Sequence, residues 1–592
     1  MSPVSEPARE RAVQATAPRM PADPIDSRWR WYFAAVLGAT AMLYFARLGA
    51  RALWGAEGRW AEIAREMIIT RNFFWPTIDG RVYFDKPLGS YWLVIASTWL
   101  TGAMDETAAR LPCAIAGILA VAFLMMLVRR LYDSRAALAA GIILATSYGF
   151  VFFSRTASAD VETISGELAA LALFVRNERR PAGWWVVGLW AIMAVTSNMK
   201  GLLSFVLPIL VIGTYCCLAQ GWAELGARLL YGSLAARTAW VIERNRRLFN
   251  WRSLGAIVTG LAIYYAPFAI SSRLEGSHKG LQMVMRENVV RYFRPFDHRG
   301  PIYLYVYVIF ALMAPWAMLL PAALADAHRR HLSGDECRRS DRFVLAFFWT
   351  TFIFFTLSGS RRSYYILPIL PAAAILIARM LTRDGPLPVL ARRLLALGYG
   401  LIVVMVIVSI AVLLPPHLLL RGSLATLPSA PDRALFATVW LASMAGVVCA
   451  LRDYRPSRVA ISTALTAYLA MGYVNIFAMP AAEAYRGEKT FALQAAVLLH
   501  GDTSTLGFYK TLGGLFYLNP PRPIFKTDNL PDLHAAIRKA GLRWILTHRR
   551  DLAEIDMPAR VRLEEASFPW EDAQQIRAKG VLIELLSPEP PR

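Results

Sequence analysis

Apolar runs of about 15 to 23 residues recur between Trp29 and Ala478, and the hydrocarbon thickness of a bilayer sets that length. Within hydrocarbon every backbone polar group must pair inside its own segment, so such runs predict helices. Thirteen spans are expected, at 29–48, 111–128, 136–153, 161–175, 183–197, 202–218, 254–271, 302–324, 343–357, 364–378, 394–414, 435–451 and 459–478. A further apolar stretch, 88–100, fits either a span or a helix lying in the interface. From Glu483 the pattern changes. Short apolar runs at 543–547 and 581–586, a helical pattern at 530–540 and the punctuation of Pro520, Pro521 and Pro523 predict a small α/β domain.

Composition agrees with this pattern. With 592 residues, 56% apolar, 18% charged and a mean hydropathy of +0.39, the chain is too apolar for a soluble globule. A net charge of +22 would suit nucleic acid, but the arginines sit mainly in short connectors, as the positive-inside rule describes. No nucleic-acid partner is expected; anionic membrane lipids are. The five cysteines show neither a disulfide framework nor metal spacing. The polar stretch 1–26 has no cleavable-signal pattern.

Charge also orients the chain. Arg129, Arg130 and Arg135, then Arg176, Arg179 and Arg180, and the basic connectors 237–252, 329–342, 379–393 and 452–458 all fall in the cytoplasm on one condition. The span 29–48 must exit and 88–100 must make no net crossing. The expected organisation is then a cytoplasmic tail (1–28), an all-α polytopic domain (29–480) with a periplasmic loop at 49–105 carrying interfacial helices, and a periplasmic α/β domain (481–592). Such a chain belongs in a bacterial inner membrane.

The outward segments hold the candidate chemistry. Glu57 and Arg59 precede a helical pattern in which Glu62, Arg65 and Glu66 read as solvated ion pairs on an amphipathic interfacial helix. Asp85-Lys86-Pro87 stands before the 88–100 stretch, with Tyr83 just upstream. Asp160 opens a span and could be a simple helix-start carboxylate. Lys200 lies between two almost abutting apolar runs, where an ionisable group is a functional candidate. Arg361, Arg362, Tyr364 and Tyr365 precede LPILP, and Arg291, Arg294 and His298 flank RPFDHRGP. Trp54, Trp60, Trp75, Tyr91 and Trp92 read as an interfacial aromatic belt, some of it able to line a groove. The histidines have no ligand spacing, so no metal site is expected and a divalent ion is not indicated.

The motifs AEGRWAEIAREM, YFDKPLGSYW, SADV, MKGLL, VVRYFRPFDHRGPIYLY and RRSYYILPILP occur in that order. Together they resemble the bacterial aminoarabinose transferases, within the protein-mannosyltransferase-like, GT-C-fold glycosyltransferases. The resemblance implies a GT-C fold of about thirteen spans and an undecaprenyl-phosphate sugar donor, the sugar being 4-amino-4-deoxy-L-arabinose and the acceptor lipid A. It implies no cofactor beyond that donor. It places Glu57 and Asp160 at catalytic acidic positions and Arg59, Lys86, Arg291 and Tyr365 around the donor phosphate. Asp85, Lys200, Tyr83, Trp60, Arg361 and Tyr364 would support the cavity. The family's first motif opens Asp-Glu, whereas this chain reads Ala56-Glu57, so one carboxylate is missing.

The chemistry gives these residue types a reason. Breaking the anomeric C–O bond leaves negative charge on a polyprenyl phosphate, which fixed Arg and Lys donors stabilise in a water-poor site. A carboxylate would deprotonate a hydroxyl acceptor, while a phosphate acceptor needs no base. Two alternatives stay open. The same chemistry would serve galacturonosyl, mannosyl or pentosyl transfer to glycan, lipid or protein. A transporter or flippase of the lipid-linked sugar is the other, though no internal repeat of the kind transporters carry is visible.

Overall fold

In the computed structural model, the described residues are 24–84, 86–218, 226, 233–248, 250–294, 299–333, 338–383, 385–413, 456–483, 486–568 and 571–586. Each expected apolar run on described residues lies in a helix or a broken helix; the run 435–451 lies outside them. Among the described residues, four helices are long and apolar enough to cross a membrane: Glu106–Leu131, Trp251–Glu275, Arg339–Leu357 and Ser363–Thr382. Two bent pairs raise this to as many as six. Ser134–Ala145 turns by 66° into Tyr148–Ser154, and Leu304–Leu312 turns by 119° into Trp316–Arg330. Pro315 stands in the second break, where its missing N–H ends helical pairing. Polar residues cap the buried ends. Asp105 and Asp133 accept from the amides of Ala108 and Ala136, each at 2.8 Å, satisfying first-turn donors.

The 88–100 stretch forms the helix Gly89–Thr101. Thirteen residues reach about 20 Å, short of the roughly 30 Å of hydrocarbon in a bilayer. It packs tightly on the end of Trp184–Lys200. A Cβ on Gly89 would lie 2.6 Å from the Asn198 carbonyl oxygen, and Ser90 Oγ donates to Met199 O at 2.9 Å.

The helix Glu57–Thr70 differs from the sequence expectation. Glu62, Arg65 and Glu66 are buried rather than solvated, because the hairpin that follows and the C-terminal domain cover that part of the helix. Glu62 and Arg65 pair at 2.6–2.8 Å, and Arg65 also donates to Asn519 Oδ1 at 2.9 Å and Pro520 O at 3.3 Å. Glu66 accepts from Thr77 Oγ1 at 2.5 Å and from the amides of Asp79 and Gly80. It thereby fixes a hairpin of β1 (Thr77–Ile78) and β2 (Arg81–Val82), whose Asp79-Gly80 turn has positive φ at both positions.

The C-terminal domain is α/β, as its pattern predicts. It carries β3 (Leu506–Tyr509), β4 (Phe525–Thr527), β5 (Trp544–His548), β6 (Ala559–Glu564) and β7 (Gly580–Leu585) in the order β4-β3-β5-β7-β6. The β3 strand is parallel to β4 and β5, and β7 is antiparallel to β5 and β6. Helices Gly487–Leu498 and Leu530–Ala540 accompany the sheet. One apolar cluster joins this domain to the first loop, running from Leu53, Trp60 and Ile63 to Phe491, Leu506 and Leu515. Polar ties reinforce it: Leu53 N donates to Tyr517 Oη at 2.7 Å, and Ile524 N to Asp79 Oδ1 at 2.6 Å.

Candidate active site

A cavity of about 1230 Å³ opens where the first loop meets the helix ends of the membrane domain. Its wall brings together Glu57, Arg59, Trp60, Tyr83, Lys86, Asp160, Lys200, Arg291, Tyr364 and Tyr365, which are spread over more than half the sequence. Among the described residues the lining holds six cationic side chains against three carboxylates, a balance that suits an anion.

Local structure places each one. Arg59, on the first turn of Glu57–Thr70, donates to Tyr83 Oη at 2.5 Å and lies 5.8 Å from that ring's centroid. Asp160 opens Asp160–Asn177 directly after Ala159, which is held at φ +60°. Such left-handed strain in an alanine persists only where the surrounding structure imposes it. Lys200, the last residue of Trp184–Lys200, pairs with Asp160. Its Nζ lies 5.5 Å from the Tyr364 ring and 5.9 Å from the Tyr365 ring. Arg291 follows a π-helical turn and pairs with Glu287 at 2.6 Å.

Two placements depart from expectation. Glu57, expected as a base, is 1% exposed, and its carboxylate accepts five N–H donors. Arg110 supplies two at 2.8 Å, and Arg51, Trp54 N and Ala157 N complete the set at 3.0–3.3 Å. Burial pushes this carboxyl up, but the bonds and charge of Arg110, with Arg51 and the Ala157 amide, outweigh it and hold the group below the usual range. An anion so saturated is a weak proton acceptor; it is built to organise the loop. Arg361 lies behind the wall, donating to Thr356 O at 3.0–3.2 Å and Gly300 O at 2.9 Å, and Arg362 stands on the lining instead. Asp85 and His298 lie outside the described residues. No group of three or more His, Cys, Asp or Glu among the described residues could hold a metal ion.

Sequence reasoning missed Arg110. Only 1% exposed, it gives its remaining donors to the carbonyls of Leu48, Arg51 and Ala52 at 2.7–3.0 Å, so one guanidinium gathers the chain that leads into Glu57. The available signal was an arginine at the threshold of an apolar helix, where an unpaired charge is costly. Arg286 and Tyr292, also on the lining, carried no such signal.

Comparison with known proteins agrees with this geometry. Residues 85–242 match the family described as dolichyl-phosphate-mannose-protein mannosyltransferase. The crystal structure of ArnT from Cupriavidus metallidurans bound to undecaprenyl phosphate superposes with a TM-score of 0.69 at 22% identity, covering 95% of this chain and 98% of that one. The fold is GT-C. The archaeal oligosaccharyltransferase AglB from Archaeoglobus fulgidus, in complex with an inhibitory peptide and a dolichol-phosphate, aligns over 90% of this chain and 70% of its own, with a TM-score of 0.50 at 12% identity. Curated relatives include the undecaprenyl phosphate-alpha-4-amino-4-deoxy-L-arabinose arabinosyl transferase of Erwinia tasmaniensis, 26% identical over 62% of this chain. A Pseudomonas aeruginosa protein of the same name is 28% identical over 59%. The matched region spans 63% of the Erwinia protein's length and 59% of the Pseudomonas one's. The recognised GT-C resemblance thus extends from motifs to backbone.

Proposed function

We propose that this chain is a GT-C membrane glycosyltransferase that moves 4-amino-4-deoxy-L-arabinose from undecaprenyl phosphate to lipid A on the periplasmic face. The observation that carries the reading is the cation-rich cavity in which Arg59, Lys86, Arg291 and Tyr365 converge beside the Asp160–Lys200 pair. The names of the curated relatives support the donor, and the ordered motifs support the acceptor. The thirteen-span topology, with an outward loop and an outward C-terminal domain, belongs to the same proposal.

In this reading an acceptor oxygen attacks the anomeric carbon as the bond from that carbon to the donor phosphate oxygen breaks. The electron pair leaves with polyprenyl phosphate, which gains a unit of negative charge. Arg59, Lys86 and Arg291 meet that charge as it develops, and Tyr365 adds a hydroxyl donor. A phosphate acceptor already carries its nucleophilic oxygen as an anion, so no base is needed and Ala56 removes nothing essential. Asp160 fixes Lys200 at the sugar, and Glu57 holds the loop that bears Arg59. Mass spectrometry of lipid A from cells with and without the gene tests the reading. An aminoarabinose mass increment present only with the gene supports it; identical lipid A under inducing conditions removes the substrate assignment.

A further inference from the structure

The cavity has an aromatic arm that the leaving-group chemistry does not use. Trp54 and Phe152 meet edge to face at 6.4 Å, and Tyr148 packs on Phe152 at 6.1 Å. Phe152 meets Phe153 at 5.1 Å, and Phe153 meets Tyr364 at 5.4 Å, beneath Lys200. The rings therefore form a continuous row from the cavity's outer edge to the Asp160–Lys200 pair. At the outer end Trp54 is 54% exposed and Tyr148 43% exposed, although both line the cavity. An interfacial anchor requires a single ring at the surface, not a row leading inward.

The same end carries excess positive charge. Arg486 lies over the Trp54 ring at 5.6 Å, and Arg51 over Phe152 at 5.8 Å. The charges that act on Arg51 are those of Arg110, Arg486, Glu57 and Glu483, and Arg155 feels both Arg110 and Arg51. The guanidiniums of Arg51, Arg110, Arg155 and Arg486 thus outnumber the carboxylates of Glu57, Glu106 and Glu483. Glu57 is shared between Arg110 at 2.8 Å and Arg51 at 3.3 Å, and Glu483 approaches Arg486 only to 4.0 Å. Arg155 registers the imbalance: burial, then repulsion from Arg110 and Arg51, pushes it down to about 10.

We propose that this row is the acceptor track, on which a phosphorylated glycolipid seats its sugar rings, with Arg486 over Trp54 holding the anionic group at the outer end. Sugars present C–H faces that pack on aromatic rings, and apolar clefts with a few placed cations orient such ligands. The inference rests on the transferase reading and deepens it by assigning the acceptor's place.

The test is steady-state transfer by the full-length protein in nanodiscs, titrating purified lipid A at saturating donor and then donor at saturating lipid A. Trp54→Ala and Arg486→Ala are expected to raise the acceptor KM about fivefold or more, with the donor KM within about twofold of wild type. Trp54→Phe restores most of the affinity. With monophosphoryl lipid A, which keeps one phosphate as acceptor and lacks the other, the difference between wild type and Arg486→Ala disappears. An unchanged acceptor KM in both variants overturns the proposal, as does a rise confined to the donor KM. Loss of protein from the membrane in Trp54→Ala, rescued by Phe with no KM change, assigns Trp54 to anchoring and also overturns it. A wild-type protein that cleaves no donor refutes the transferase reading itself, a different failure.

Discussion

Replacing Arg110 with methionine removes the five donors that tie residues 48–52 to Glu57. It leaves Glu57 buried with Arg51, at 3.3 Å, as its remaining cation among the described residues. Breaking a buried pair from one side costs about 3–5 kcal/mol. Glu57→Gln is expected to cost a similar amount, because it strands the guanidinium. The double variant removes both charges of the pair together, so a double-mutant cycle should return a coupling of about 2–3 kcal/mol. Expressed as the balance between held and released loop, 3 kcal/mol is a factor of about a hundred or more. Two assays read it: protease cleavage within 49–56 in detergent, and turnover, which depends on where that loop places Arg59. Costs that add within about 0.5 kcal/mol would refute the argument, as would wild-type protection and turnover in Arg110→Met. The pH sense follows from the depressed Glu57. Its contribution is full above the 4.5 of an ordinary glutamate and is lost as pH falls through the lower folded value, so the loop should stay held through mild acid. In Glu57→Gln that acid transition should vanish.

Arg59→Ala and Lys86→Ala should each lower turnover about 10²–10³-fold while leaving membrane levels unchanged; full activity in both would remove the phosphate-site assignment. Asp160→Asn should cost about ten- to a hundredfold, and adding Lys200→Met should cost little more, because the two act as one pair; independent losses measured in the same assay would contradict that. Arg65→Met leaves Glu62 buried and cuts the ties to Asn519 and Pro520, so the thermal midpoint should fall by the equivalent of about 3 kcal/mol, with the C-terminal domain freed to limited proteolysis. Gly80→Ala places a Cβ 2.6 Å from Pro523 Cγ at a φ of +68°, and should destabilise the same contact by about 1–3 kcal/mol in the same thermal assay.

The helices were legible because bilayer thickness and backbone pairing both act locally, leaving apolar runs of a set length. The C-terminal strands were legible for a similar reason: the runs at 543–547 and 581–586 became β5 and β7. Lys200 and Asp160 stood out as charges beside hydrocarbon, and the fold sets them against each other. Buried positions were harder to read. Glu62, Arg65 and Glu66 have the spacing of a solvated helix face; contacts of Arg65 with Asn519 and Pro520, some 450 residues away, and of Glu66 with the Thr77–Gly80 hairpin take them out of water. Arg110 was hidden in the same way, since a guanidinium's role depends on which distant carbonyls surround it. No periodicity records that.

The most direct test incubates purified protein with undecaprenyl-phosphate aminoarabinose and lipid A and follows free undecaprenyl phosphate over time. The account predicts its release in step with sugar-bearing lipid A, and near-complete loss of both in Lys86→Ala. Donor that crosses the bilayer but is never cleaved would contradict it.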